Sequence, residues 1–153
     1  EYPSLHLTLV DPYDIDVAVD YQAKAEEHDF DAVQKEAYEK LSFAKLRTQW
    51  IYKPSNKAHK DVPNNYLDFV FLDATHQTKE VLEDIDCWYP KVRLGGILAG
   101  HDYNGRGDKS GRFGVKPAVD EKFGDQVNVE RGLVWWVLKR EETTRMEAVS
   151  KLL

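Results

Sequence analysis

Short apolar runs alternate with amphipathic stretches along most of the chain. A strand is predicted wherever such a run is bounded by proline, glycine or charged residues. The four runs that meet this condition are Leu5–Val10, Gln49–Tyr52, Leu67–Leu72 and Ile97–Gly100. The third, LDFVFL, is largely apolar, which indicates a strand buried on both faces. We therefore expect it to be an interior strand of a parallel sheet.

Helical periodicity appears between these runs. In the stretch Phe30–Leu46, every third or fourth residue is apolar, and Asp29 or Asp31 is available as the N-cap. The stretch Thr78–Trp88 has the same spacing, and Pro90 and Gly95–Gly96 are expected to terminate this helix. Three shorter helices are predicted at Val19–Glu27, Asn56–Lys60 and Val115–Phe123.

The order of these elements predicts the architecture. Strands that alternate with helices favour right-handed crossovers and a three-layer α/β sheet that is mainly parallel. Val127–Val129 and Leu133–Leu138 are expected to close the sheet as an antiparallel pair. We assign residues 1–140 to one domain and residues 141–153 to a charged tail, which is expected to be helical from Thr144.

Composition narrows the class of protein. The chain has 153 residues, 42% of them hydrophobic, which suits a single globular core. Its net charge of -6 argues against a nucleic-acid partner, which attracts basic surfaces. No apolar run is long enough to span a membrane, and the single cysteine, Cys87, excludes an intrachain disulfide. We expect a cytoplasmic protein, and because the chain opens with Glu1 we expect that this is not its natural start.

Polar residues follow each predicted parallel strand, where ligands of such sheets bind. They are Asp11, Ser55, Asp73, His76, His101 and Asp102. A carboxylate such as that of Asp11 can accept hydrogen bonds from both hydroxyls of a ribose. The alternative is that Asp11 only caps a helix or forms a turn with Pro12.

A set with a more specific chemical role consists of Asp73, His101 and Asp102. If their strands are neighbours, two carboxylates and an imidazole converge and could hold a divalent cation. Alternatively, His101 acts as a general base oriented by an aspartate. A third interpretation is structural, with Asp73 capping the next helix and the other two capping a loop. His76 is a lone loop histidine, which is more often solvated than catalytic.

Two further motifs point to structure or to substrate access. The glycines of GRGDKSGRFG match no phosphate-binding motif, so we interpret the loop Tyr103–Phe113 as a mobile lid or substrate loop. The pair Trp135–Trp136 is expected to be core on one side and half-exposed packing on the other, since no basic residues interleave with it as in a base-stacking surface.

The second half of the chain resembles the class I S-adenosylmethionine-dependent methyltransferases, in the branch that acts on small molecules and sugars. The resemblance is carried by LDFVFLDATHQTKEVLEDIDCWYPKVRLGGILAGHDYNG, then FGVKPAVDEKFG and GLVWWVLK. Upstream, LTLVDPYD and QWIYKPSNKA are similar to the second and third strands of that family. The resemblance implies a Rossmann-like fold with S-adenosylmethionine as cofactor.

The same resemblance implies roles for individual residues. Asp11 would bind the ribose, Ser55 would lie against the adenine, and Asp73 would face the methionine part or a metal. His101 and Asp102 would belong to the acceptor and metal side, as in the magnesium-dependent O-methyltransferases of this class. The predicted metal ligands are therefore Asp73, His101 and Asp102, and Mg²⁺ is the expected ion.

The chain departs from the family at its beginning. The first strand and its glycine-rich turn should precede Leu5, where only EYPS is present. In the family that strand lies between those expected at Leu5–Val10 and Leu67–Leu72. Either the chain is part of a longer protein, or another chain supplies the strand, as in a homo-oligomer, or the remaining strands pair directly and the site is lost.

These features leave three hypotheses for function. The first is an O-methyltransferase acting on a hydroxyl of a small molecule or sugar. The second is a methyltransferase-like module that has lost catalysis and serves binding or assembly. The third is a metal-dependent hydroxylase or hydrolase on the same sheet.

Overall fold

The computed structural model describes residues 4–13, 29–103, 113–131 and 133–141. The predictions for residues 19–27, 104–112 and 144–153 lie outside the described residues. The strands are β1 Leu7–Val10, β2 Thr48–Ile51, β3 Leu67–Leu72, β4 Val92–Gly100, β5 Asn128–Glu130 and β6 Val134–Leu138. The α-helices are α1 Phe30–Lys40, α2 Ser55–Ala58, α3 Thr78–Trp88 and α4 Val115–Phe123. Short 3₁₀ turns occupy Ser42–Arg47, His59–Asp61, Tyr89–Lys91 and Gly124–Gln126.

The strands form two separate sheets. β1 and β2 make a parallel pair, and the other four strands are ordered β3-β4-β6-β5. β3 and β4 are parallel, whereas β6 runs antiparallel to both β4 and β5. The predicted α/β architecture and its antiparallel closing pair are confirmed.

β4 is longer than predicted. It begins at Val92 and runs through Gly95 and Gly96, which we expected to lie in a break before the strand. Gly95 has a φ of +73°, a conformation that glycine adopts without steric cost. The register between β3 and β4 shifts between Leu67 and Phe69, so a β-bulge absorbs the irregularity.

The prediction that β3 is an interior strand is wrong for the described chain. β3 pairs with β4 on one side only and so lies at the edge of its sheet. Phe69 and Phe71, which point to the same face, are 55% and 46% exposed, and their rings stack with centroids 6.3 Å apart. The apolar pattern of β3 therefore matches a strand covered on both faces, but the described residues cover only one of them.

Among the described residues, β1 and β3 do not pair with each other. The alternative that the remaining strands close the sheet directly is therefore wrong. The resemblance puts the family's first strand between β1 and β3. Within the described ranges, each of these two strands has one edge with no strand beside it.

The core lies between the four-stranded sheet and helices α3 and α4. Val70, Leu98 and Val137 of the sheet belong to one buried cluster with Ile85 of α3 and Val119 of α4. Ile51 of β2 and Ala58 of α2 belong to the same cluster, so the two-stranded sheet is attached through it.

Helix α1 packs on the face of the two-stranded sheet that points away from the core. Tyr38 of α1 packs against Trp50 of β2 with ring centroids 4.4 Å apart. Neighbouring residues of a strand point to opposite faces, so α1 lies on the side opposite to buried Ile51. Asp29 is the N-cap of α1, accepting a hydrogen bond from the Ala32 amide at 3.0 Å, but the helix has no buried residue. None of the helices in the described ranges is long and apolar enough to cross a membrane.

Candidate functional site

The ends of β3 and β4 bring the predicted residues Asp73, His101 and Asp102 to one edge of the sheet. Leu72 and Gly100 are opposite each other in the parallel register. The His101 amide donates to the Leu72 carbonyl at 3.2 Å, which extends the ladder by one residue. Asp73 and His101 consequently leave the sheet side by side, as the sequence predicted.

Three side chains converge just beyond this edge: those of Asp73, His76 and Asp102. One ligand atom from each lies within 4.8 Å of the other two. Nε2 of His76 is 2.8 Å from Oδ2 of Asp102, and both side chains are about one quarter exposed. His76, which the sequence analysis treated as a solvated loop residue, is thus part of the cluster.

His101 lies at the margin of the cluster. Its Nδ1 is 3.2 Å from the same Oδ2 of Asp102, and its side chain is 40% exposed. The group of atoms within 4.8 Å of one another contains His76 and does not contain His101. Asp102 has a φ of +60°, a left-handed conformation that aspartate tolerates better than most residues. The next residue, Tyr103, donates its amide to the Leu133 carbonyl at 3.0 Å, which fixes this turn.

The position of His76 depends on a contact with the start of α4. The Gly114 amide donates to the His76 carbonyl at 2.6 Å, and the Phe113 ring lies 6.0 Å from the imidazole. A Cβ at position 114 would collide with Thr78, so only glycine allows this close approach. The structural interpretation of Asp73 as a helix cap fails, because the N-cap of α3 is Gln77 and no side chain caps it.

The donor set of the cluster fits a divalent cation. Two ligand atoms on opposite sides of an ion, each bonded to it at roughly 2.1–2.4 Å, are about 4.2–4.8 Å apart. The ligand atoms of the cluster lie within 4.8 Å of one another, so one ion can contact all three. Carboxylates suit Mg²⁺ and Mn²⁺, whereas imidazole is preferred by Mn²⁺ and later transition metals. Two carboxylates with one imidazole are therefore an acceptable set for Mg²⁺ and a better one for Mn²⁺.

Asp11 lies at the end of β1, in the two-stranded sheet. Its amide continues the β1–β2 ladder by donating to the Ile51 carbonyl at 3.2 Å. Its Oδ1 accepts a hydrogen bond from the Tyr13 amide at 2.7 Å, the contact expected for a turn around Pro12. The carboxylate is exposed, and its ribose-binding role stays a prediction.

Ser55 joins two helices. Its hydroxyl accepts a hydrogen bond from Trp88 Nε1 at 2.8 Å and donates to the Asp84 carboxyl. Asp84 is only 7% exposed, and burial raises the pKa of its carboxyl above the usual range. The hydroxyl of Ser55 therefore connects α2 with α3, and its contact with adenine stays a prediction.

A polar group beside the cluster was missed by the sequence analysis. The Tyr103 hydroxyl donates to Asp120 at 2.5 Å, and Lys116 binds the same carboxylate while its Nζ lies 4.8 Å from the centre of the Tyr103 ring. The hydrogen bond to Asp120 raises the pKa of the Tyr103 phenol. The i,i+4 spacing of Lys116 and Asp120 was the available signal.

The family follows from comparison with known proteins. The sequence profile of a methyltransferase domain matches residues 4–103, which is more than half of the 153-residue chain. The chain belongs to this methyltransferase-domain family. The predicted methyltransferase family is therefore confirmed, and the matched range contains all six of the strand-end residues.

Several solved structures are similar to the chain. A protein from Corynebacterium glutamicum is 18% identical and superposes with a TM-score of 0.58 over 92% of this chain and 63% of its own. The O-methyltransferase NovP is 18% identical, with a TM-score of 0.46 over 62% of this chain and 38% of its own. The MycE methyltransferase of the mycinamycin biosynthetic pathway, solved in complex with Mg and SAH, is 17% identical, with a TM-score of 0.47 over 70% and 39%. No functionally curated protein matches the sequence significantly.

The chain spans 63% of the length of the Corynebacterium glutamicum protein. At this level of identity the superposition supports the Rossmann-like fold and nothing more specific.

Proposed function

We propose that this domain transfers the methyl group of S-adenosylmethionine to a hydroxyl of a small molecule or sugar, assisted by a divalent cation. The observation that carries the proposal is the convergence of Asp73, His76 and Asp102 at the carboxyl edge of β3 and β4 in a methyltransferase domain. Methyl transfer is an in-line displacement, so the protein's main task is to align the acceptor with the methyl group.

The three cluster residues would bind the cation. A bound cation lowers the pKa of a hydroxyl that coordinates it, which helps to form the attacking oxygen. His101 would receive the proton, since its imidazole is 40% exposed and its Nδ1 lies 3.2 Å from Asp102. In this arrangement Asp102 both holds the ion and orients His101, and the acceptor approaches from the exposed side of the edge.

The cofactor would bind beside β1 and β2. Asp11 is exposed at the end of β1, where its carboxylate could accept hydrogen bonds from the ribose hydroxyls. Ser55 follows β2 at the start of α2 and would border the adenine. Asp73 follows β3 in the metal cluster and would face the methionine part of the cofactor as well as the cation.

This half of the site needs a further strand. β1 and β3 each have an edge that no described strand occupies, and the sequence contains no glycine-rich turn to bind the methionine end of the cofactor. We expect a parallel strand from a longer form of the polypeptide, or from another chain, to lie between them. The 153 residues alone should then bind S-adenosylmethionine weakly or not at all.

The test is a transfer assay on the 153 residues and on the longest polypeptide that contains them. Each is incubated with methyl-labelled S-adenosylmethionine and a panel of sugars and phenols, with Mn²⁺, with Mg²⁺ or with a chelator. We expect labelled product only from the longer polypeptide with a cation, and a loss of at least tenfold in Asp102→Asn. Product that forms equally well in the chelator would contradict the role of the cluster.

A binding or assembly module without catalysis is the second candidate. The observation that favours it is the exposed Phe69–Phe71 surface beside an open strand edge, which is suited to protein contacts. A longer polypeptide that binds the cation and S-adenosylmethionine but methylates no member of the panel would favour this candidate over the enzyme.

A further inference from the structure

A cavity connects the candidate metal cluster with the protein core. It encloses about 300 Å³ of space, part of which is open to solvent. Asp73, His76 and Asp102 line it, and so do the buried residues Asp84 and Trp135. The cavity therefore has polar groups both at the sheet edge and within the core.

Trp135 contributes a hydrogen-bond donor with no partner. Its side chain is 1% exposed, and within the described ranges its Nε1 makes no hydrogen bond. An indole N–H can only donate, and leaving a buried donor unpaired costs about 1–3 kcal/mol. An oxygen atom that accepts from Nε1 would remove this cost.

The indole is held close to the site. Trp135 of β6 is paired with Gly100, the last residue of β4 before His101 and Asp102. A Cβ at position 100 would lie 2.7 Å from Nε1, so a larger residue there would collide with the indole. The donor is thus fixed at the end of β4, where the residues of the metal cluster begin.

Asp84 and Thr75 supply the matching groups. Asp84 is 7% exposed and receives one hydrogen bond from the Ser55 hydroxyl, which leaves acceptor capacity on its carboxyl. The Thr75 hydroxyl is also buried, lines the same cavity and makes no hydrogen bond among the described residues. Three buried polar groups therefore border one space.

We propose that this cavity binds an ordered water molecule that accepts a hydrogen bond from Trp135 Nε1 and bonds to the Asp84 carboxyl and the Thr75 hydroxyl. Buried waters make about two to four hydrogen bonds. Within the cavity the centre of a water-sized sphere can occupy about 20 Å³, which exceeds the roughly 10–15 Å³ that one water needs, so the polar groups and the space suit a single water. Apolar cavities stay dry, whereas this one has polar groups on its wall. The proposal does not depend on methyl transfer.

The experiment measures magnetisation transfer between water and indole protons by NMR in the ¹⁵N-labelled 153-residue protein. Trp88 is the internal control, because its Nε1 donates to Ser55 at 2.8 Å. Trp135→Phe identifies the Trp135 signal by its loss. We expect a cross-peak with a long-lived water at Trp135 Hε1, whereas any peak at Trp88 Hε1 reports exchange through the Ser55 hydroxyl and should be lost in Ser55→Ala.

The variant Thr75→Val shows whether the cross-peak at Trp135 Hε1 comes from a bound water or from proton exchange through the Thr75 hydroxyl. The cross-peak should persist in this variant, because the water still has Trp135 and Asp84 as partners. Its disappearance in Thr75→Val, or its absence from the original protein, would overturn the proposal. A crystal structure in which Trp135 Nε1 bonds to a protein group would do the same.

Discussion

The two sheets of this domain differ in how completely the chain supports them. In the four-stranded sheet, Leu98 of β4 and Val137 of β6 are almost fully buried, and α3 and α4 cover one face. In the two-stranded sheet, every residue of β1 is only partly buried, and α1 has no buried residue. The first sheet holds the candidate metal cluster, and the second holds the residue expected to bind the ribose.

This difference separates the two halves of the proposed site. The metal and acceptor half depends on contacts that the described chain makes itself, such as the hydrogen bond from Gly114 to His76. The cofactor half borders an interrupted sheet, and Asp11 there has a turn contact with Tyr13. The chain should therefore fold and bind a cation more readily than it binds S-adenosylmethionine.

A pair of core substitutions should give the largest effect. Leu98→Ala removes a fully buried side chain from the centre of the four-stranded sheet and should lower the free energy of unfolding by about 2–5 kcal/mol. Leu9→Ala in β1 removes the same atoms from a partly buried position and should cost clearly less. Urea denaturation of both variants measures the difference. Equal losses would mean that the two sheets are equally well packed.

Asp11→Ala tests the cofactor half in the longest polypeptide. Loss of a charge-assisted pair of hydrogen bonds should weaken S-adenosylmethionine binding by about 1.5–3 kcal/mol, with a smaller effect on folding. Calorimetric titration measures the affinity, and thermal denaturation of the same samples measures folding. Unchanged affinity would reject the ribose role and leave Asp11 as a turn residue.

Ser55→Ala tests the junction between the two halves. It leaves Trp88 Nε1 without its acceptor and Asp84 without its donor, which should cost about 1–3 kcal/mol of stability. Ser42→Ala, at an exposed position, is the control and should cost little. If Ser55→Ala is as stable as this control, the hydrogen bonds across the junction contribute nothing measurable.

Asp84 should make stability depend on pH. Burial raises the pKa of its carboxyl in the folded state, so the folded protein binds this proton more tightly than the unfolded chain. The contribution of the group to stability is then greatest below its unfolded pKa of about 4 and falls as the pH rises towards the folded pKa.

Asp84→Asn removes this titration. The stability of the variant relative to the original protein should therefore be greater at pH 7 than at pH 4, and denaturation series at both values measure it. A difference that is the same at both values would show that Asp84 does not titrate with a raised pKa.

The sequence predicted the elements that local signals determine. β3, α3 and α4 have the predicted bounds, because their periodicity is regular and Thr78 and Gly124 lie at clear ends. The beginning of β4 was missed, since Gly95–Gly96 indicates a break unless a bulge accommodates it. Local sequence does not show that bulge, which depends on the pairing with β3.

In the site, too, local sequence predicts some features, whereas others depend on contacts between distant parts of the chain. The edge shared by Asp73 and His101 follows from parallel pairing, which the strand pattern predicts. The inclusion of His76 depends on its contact with Gly114, about forty residues along the chain, which no local pattern indicates. Burial of Asp84 likewise depends on Ser55 and on packing within the core.

Titration of the 153-residue protein with Mn²⁺, followed by electron paramagnetic resonance, tests the central claim that Asp73, His76 and Asp102 bind a divalent cation without the cofactor half. We expect one bound ion, an affinity at least about tenfold lower in His76→Ala and in Asp102→Asn, and a smaller loss in His101→Ala. Asp125→Asn, at an exposed acidic residue far along the chain, should bind as the original protein does. No bound ion, or a greater loss in His101→Ala than in His76→Ala, would contradict the account.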